Sequence, residues 1–172
     1  MNWIGRTLKP RVDDVSAYAA ALKRWRAGRI VTSAGRLVRI ERRWLPYKAS
    51  RTRVWWDIRR RPRHNVECSI YFHQQRGNPR FLVVGYVASH PQAALSSLYS
   101  GLLVLDEIAR LKACEAVVAE VTNSRLSDRL LQRWGWEQHC LHWPGRHFIK
   151  RFYGNYPVIA PLWRERMTSS LS

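Results

Sequence analysis

The eight residues at 81–88, FLVVGYVA, leave this chain the least freedom. They are apolar on both faces, which suits a strand covered on both sides and therefore central to a sheet with helices against it. Just before them, VECSIYFHQ alternates. Val66, Cys68, Ile70 and Phe72 oppose Glu67, Ser69, Tyr71 and His73. With RGNP as a turn between the two runs, the pair predicts an antiparallel hairpin. Gly85 inside the second strand is a candidate for a bulge or for close approach by another backbone or a ligand.

The next segment is equally ordered. Ser89 and Gln92 have the spacing of a capping box, with Pro91 in the first turn, and predict a helix from about Gln92 to Ala113. Leu95, Leu98, Leu102, Leu105, Ile108, Ala109 and Leu111 form its broad apolar face. EAVVAEV predicts a further strand, SDRLLQRWGW a helix ended by Gly135, and EQHCLHW and RHFIKRFYG two last strands joined by PGR. The order from residue 66 is thus β-β-α-β-α-β-β, and its β-α-β part implies a right-handed parallel crossover. The fold class is mixed α/β, a central mixed sheet flanked by helices.

The N-terminal part is less decisive. Residues 1–12 read as an arm. Asp13 and Asp14 then precede a helical stripe of Val15, Tyr18, Ala19, Leu22 and Trp25, with Gly28 as a stop. RIVTS reads as a short strand, and GRLVRIERRWL as strand or helix. The tail 154–172 has an apolar first half suited to packing on the domain or on a partner, which allows an oligomer or a larger assembly. A chain of 172 residues without repeats fits one domain over 1–172.

Charge adds a second constraint. Lys and Arg number 30 against 12 Asp and Glu, a net +18, yet 46% of residues are hydrophobic, which excludes a disordered polyelectrolyte. Such a surplus predicts attraction to a polyanion: nucleic acid, another anionic acceptor, CoA-type phosphates or acidic lipid. Arg, with a planar fork that suits phosphate and stacks on rings, makes up most of it, and nine Trp supply rings. The densest stretch holds Arg42, Arg43, Arg59, Arg60, Arg61 and Arg63 among Trp44, Tyr47, Trp55 and Trp56, a pattern for phosphate contact and base stacking. Arg146, His147, Lys150 and Arg151 would extend the patch. The competing readings are a solvated basic face over core Trp residues, or contact with an acidic membrane surface. No zinc-finger spacing, glycine-aromatic RNA motif or basic zipper is present.

His139, Cys140, His142 and His147 cluster in sequence, but on a strand His139 faces away from Cys140 and His142, so no metal site is expected. Three widely spaced cysteines without a C-x-x-C pair give no disulfide framework, and the cytoplasm is the default compartment. No apolar leader opens the sequence, and no stretch reaches the roughly 18 apolar residues of a transmembrane helix.

The order of elements and the segment SRLSDRLLQRWGW together resemble the GCN5-related N-acetyltransferase (GNAT) superfamily. Its C-terminal motif is commonly N-x-x-A, a Leu-Tyr pair, then Gly-Phe. Here Ser124 takes the Asn place, with Asn123 one position earlier. Ser127 takes the small-residue place, Leu130 and Leu131 the pair, and Gly135-Trp136 the Gly-Phe. The resemblance covers roughly residues 66–153, and the helix at 15–27 stands where the family has its first. Two departures stand out. The family's pyrophosphate loop, Q/R-x-x-G-x-G/A, corresponds to Gln92-Ala-Ala-Leu95-Ser96-Ser97, without either glycine. The Tyr that often serves as general acid is Leu131.

The resemblance implies an N-acyltransferase using acetyl-CoA or another acyl-CoA. It places the pantetheine arm along Gly85, Val87 and Ala88, the pyrophosphate against Gln92, Ser96 and Ser97, and a backbone N–H near Val87 on the thioester carbonyl. Glu120, near the C-terminal end of the second parallel strand, is the expected catalytic base, and Glu67 is second. Asn123 would bind ligand or cap the next helix. The alternative is a non-catalytic, basic nucleic-acid-binding module on the same fold.

Overall fold

The computed structural model describes residues 11–12, 14–44, 67–123 and 126–167. Among them are eight strands in one mixed sheet and four helices. The strands are β1 (Arg11–Val12), β2 (Ala27–Ser33), β3 (Arg36–Arg43), β4 (Glu67–Gln74), β5 (Phe81–Ser89), β6 (Ala116–Glu120), β7 (Glu137–Gln138) and β8 (His147–Arg151). The helices are α1 (Ala19–Arg24), α2 (Leu95–Leu111), α3 (Asp128–Arg133) and α4 (Pro161–Met167). The sheet runs β1-β3-β2-β4-β5-β6-β8-β7. Of these neighbours β5 and β6 are the parallel pair, and the β-β-α-β-α-β-β order expected from residue 66 is the order found.

Alternation along the strands divides the sheet into two faces. Ile30, Ile40, Ile70, Phe72, Leu82, Val84, Val117 and Phe148 join Leu98, Leu102, Leu105 and Ile108 of α2 in one core. Val31, Ser69 and Tyr71 are buried on the other face, so β2 and β4 are covered there too, although β4 reads from the sequence as alternating. Two glycines let these layers close. An added Cβ on Gly101 would lie 2.8 Å from Ile70 Cδ1, so α2 sits hard against β4 there. One on Gly28 would lie 2.6 Å from the Phe72 ring, its cross-strand neighbour.

That ring overturns the helix stop expected at Gly28. Gly28 does not stop a helix. It is a buried strand residue under Phe72, and α1 spans only Ala19–Arg24. The Asp14 carboxylate accepts from the N–H groups of Ser16 and Ala17 and holds the preceding residues in a turn. Val15, Leu22 and Trp25 are buried as the stripe requires, but Tyr18 is exposed. β2 and β3 form a hairpin whose two-residue turn, Ala34-Gly35, has both φ angles positive, matching strand twist. Of the expected N-terminal arm, residues 11–12 pair with β3 as an edge strand.

The start of α2 departs from the expected capping box as well. Ser89 is the last residue of β5, and its hydroxyl donates to the His90 carbonyl rather than capping a helix. His90 organises a turn, accepting from Gln92 N–H at Nδ1 and from Ala93 N–H at its carbonyl. The helix therefore begins at Leu95, after Ala94, with no side-chain cap. At α3 the cap is Ser127, whose hydroxyl accepts from Leu130 N–H, so Asn123 does not fill that role. Gly135, at φ +83°, ends α3 as expected. The strand expected over 137–143 is cut to two residues, because Cys140 turns left-handed at φ 52°. The tail packs back as α4, with Met167 buried and Tyr156, Ile159 and Trp163 against the core.

Candidate functional site

The site begins where β5 and β6 part. Their parallel ladder runs from Phe81↔Ala116 to Val84↔Ala119 and then stops, while β5 continues to Ser89. Gly85 marks the break. Tyr71 pairs with Tyr86 and Phe72 with Val84, so Gly85 is the extra residue of a bulge. Beyond it, among the described residues, Val87 to Ser89 have β4 as their strand partner, and the other side of the strand faces the gap. Val87 is half-buried and Ala88 buried at this edge. The result is a wedge between two parallel strands, open at their C-terminal ends and continued by the N-terminus of α2, where ligands of α/β sheets commonly lie.

Glu120 closes β6 on the other side of the wedge. It is exposed, paired in register with His147, and its Oε1 lies 3.2 Å from where a Cβ on Gly145 would stand. The His147 Nε2 lies 3.4 Å from the same point and 2.9 Å from the Pro144 carbonyl. A carboxylate and an imidazole thus flank one backbone position at φ +101°. Trp143, 56% exposed, meets the His147 ring edge-on. Among the described residues no three His, Cys, Asp or Glu side chains converge as metal ligands.

The α2 end of the wedge differs from expectation. Gln92 is exposed and Ser96 half-buried, but Ser97 is fully buried. Its hydroxyl accepts from Gly35 N–H at 3.1 Å, and its carbonyl accepts from Thr32 Oγ1 at 2.6 Å. Ser97 is therefore engaged in docking α2 on the β2–β3 turn. Arg166 of α4 reaches the same turn, its Nη1 3.4 Å from where a Cβ on Gly35 would stand, with its guanidinium over Trp163. Sequence reasoning misses Arg166 because nothing in the tail places it beside a helix start about 70 residues earlier.

Arg146 does not join a basic patch. It donates to Asp128 Oδ1 and to the carbonyls of Asn123 and Leu126, gathering the β6–α3 loop over the wedge. Its hydrogen bonds hold the exposed Asp128 carboxyl below the ordinary carboxylate range. Lys150 is buried against Asp106 at 2.6 Å, and Arg151 pairs with Glu137. The cations Arg146, Lys150 and Arg151 are thus each paired with a carboxylate, Lys150 in the interior and the two arginines at the surface, and form no free basic patch. Arg42 and Arg43 separate as well. Arg42 stacks at 4.2 Å over the exposed Trp44, while Arg43 lies 5.4 Å from the Tyr71 ring on the opposite face. Arg59, Arg60, Arg61 and Arg63 lie outside the described residues, as does the Glu67 side chain.

A shallow cleft of about 220 Å³ opens at the other end of β6, lined by Phe81, Val118, His139, Ile149 and Arg151 among others. It is remote from Glu120 and does not join the wedge. No helix among the described residues is long and apolar enough to cross a membrane. No protein-family model matches the chain, and no curated protein matches it.

Proposed function

We propose that this chain is a divergent GNAT-like N-acyltransferase that binds acetyl-CoA or another acyl-CoA in the wedge between β5 and β6. The observation that carries the reading is the end of the parallel ladder at Val84 and Ala119 beside the Gly85 bulge. An acyl-CoA would supply a thioester carbonyl activated towards amines. The backbone of Val87 and Ala88 facing the gap suits an extended pantetheine arm by strand-like hydrogen bonding, and an N–H near Val87 would polarise the carbonyl. Glu120, with His147 beside it, would take a proton from the acceptor's ammonium, and the free amine would then attack the thioester carbonyl, forming the amide bond as the C–S bond breaks and CoA leaves as the thiolate. Asn123, exposed at the rim, and Gln92 and Ser96 at the start of α2 are the remaining polar contacts. Arg166 offers a charge for phosphate where the loop glycines are missing.

Calorimetric titration of nuclease-treated protein with acetyl-CoA, at moderate and high salt, tests this. One-to-one binding that survives high salt is expected, since non-specific attraction to a +18 surface is screened. Binding that disappears with salt would rule the wedge out as an acyl-CoA site.

A second reading, a basic nucleic-acid-binding module, is favoured by one feature. Ser97, one of the three residues expected at the pyrophosphate, is occupied by Gly35, while Arg42 stacked on exposed Trp44 offers a cation and a ring together.

A further inference from the structure

The end of the molecule away from the wedge gathers cations that no sequence motif connects. Lys23 and Arg24 lie in the last turn of α1, Arg26 just before β2, Arg76 in the β4–β5 turn and Lys112 at the C-cap of α2. The segments carrying Lys23, Arg26 and Lys112 are tied together by contacts, with Arg24 next to Lys23 and Arg76 two residues beyond Gln74 in sequence. The Lys112 ammonium donates to the Lys23 carbonyl at 2.9 Å and to Gln74 Oε1 at 3.1 Å. Gln74 N–H in turn donates to the Arg26 carbonyl at 2.7 Å. Lys23, Arg24, Arg26 and Arg76 are exposed. The carboxylates nearby, Glu107 and Glu115, are paired with Arg110 and Arg80. No ion pair with a carboxylate engages the five cations themselves among the described residues. Helix dipoles account for Lys23, Arg24 and Lys112 at helix C-termini, but not for Arg26 and Arg76.

We propose that this end, formed by Lys23, Arg24, Arg26, Arg76 and Lys112, binds the phosphate backbone of nucleic acid without reading its sequence. Burial lowers the Lys112 ammonium below its ordinary value, the Cys114 thiol opposes that, and Arg26 adds to it. A phosphate beside both would relieve that repulsion. Nucleic acid fits better than a membrane. α1 has six residues, and among the described residues the exposed large apolar side chain beside it is Tyr18, more than a turn from the cations, so the described part of this end presents no apolar face for lipid. The inference rests on the polyanion-binding reading and not on acyl transfer. The patch lies beyond the C-terminus of a 17-residue helix whose N-terminus faces the wedge, about 25 Å along its axis.

Fluorescence anisotropy with a labelled mixed-sequence DNA duplex, over about 50 to 200 mM salt, tests it. Each phosphate contact adds about −0.9 to the slope of log K against log salt. The full-length variant Lys23→Ala/Arg24→Ala/Arg26→Ala should therefore bind more weakly, with a slope shallower by about 2.7. Arg76→Ala, in a turn away from α1, should remove about 0.9 by itself and guards against a folding defect in the triple variant. Equal losses on an unrelated duplex sequence are expected. Unchanged slopes in both variants, or tighter binding to phosphatidylserine vesicles than to DNA, would overturn the proposal. Acetyl-CoA titration of the triple variant at high salt should match the parent, so failure of the wedge and failure of this patch give different results.

Discussion

Asp106 and Lys150 form a buried pair at 2.6 Å between α2 and β8, and the second Asp106 oxygen, Oδ1, has no hydrogen-bond partner among the described residues. Burial pushes the Asp106 carboxyl up to about 6, against the pull of Lys150. A carboxyl with a folded pKa above its unfolded value favours folding most when protonated. The contribution is fully present below about pH 4 and is lost as pH rises through about 6. A rise of that size corresponds to about 3 kcal/mol. Denaturant unfolding at pH 5 and pH 7 should thus show the parent losing stability with rising pH relative to Asp106→Leu/Lys150→Met. Asp106→Asn alone strands the buried ammonium and should cost about 3–5 kcal/mol, whereas the apolar double variant should be near neutral. The sequence shows none of this. Lys150 reads as one cation in a basic run, and only the register that sets it inward beside Phe148 reveals otherwise. Arg146 is illegible for the same reason, since its partners Asn123 and Leu126 lie in the β6–α3 loop and Asp128 at the start of α3, about 20 residues earlier. The position of Glu120 at the end of its strand is legible, by contrast, because a short apolar run followed by a carboxylate fixes where burial stops. Under the proposed acyl transfer, Glu120→Gln is expected to lower the rate far more than acetyl-CoA affinity, read by steady-state kinetics beside calorimetry.

The elements from β4 onward are legible because their periods differ: two for β4, 3.6 for α2, and unbroken apolar runs for β5 and β6. Their boundaries are not. The Ser89–Gln92 spacing mimics a helix cap, but strand pairing to Cys68 holds Ser89 in β5 and delays α2 to Leu95. Gly28 reads as a helix stop, because only tertiary packing shows the Phe72 ring over it. Gly28→Val should therefore destabilise by about 1–3 kcal/mol through overpacking, and Phe72→Leu in the same chain should recover part of the loss in thermal unfolding. At α3, Ser127→Ala removes the acceptor for Leu130 N–H and should cost about 1 kcal/mol, read as a shift in the denaturant midpoint. Gly35 shows how an element carries a site. Its turn occupies Ser97, so Ser97→Ala should loosen α2 against the hairpin and lower stability, read as a shift in the denaturant midpoint.

Over the whole molecule, charge is the plainest feature of the sequence and its distribution the least plain. A net +18 raises self-repulsion in the compact state, so Tm should rise with added salt until screening is complete. A scan of Tm against ionic strength checks this, and a flat profile would mean that ion pairs such as Arg80–Glu115 already offset the repulsion. The strand order is equally hidden. Periodicity shows that a segment is a strand but not which neighbour it takes. Here β2 lies between β3 and β4, and β8 between β6 and β7. That last insertion bears on how the chain assembles. Among the described residues β7 pairs with β8 alone, and β6 keeps a bare edge until residues 147–151 arrive to cover it. During synthesis, strands β1 to β5 can zip together as each emerges from the ribosome. The C-terminal third must wait for a late strand to slide into a reserved slot, and a chain stalled before His147 presents an adhesive margin to its neighbours.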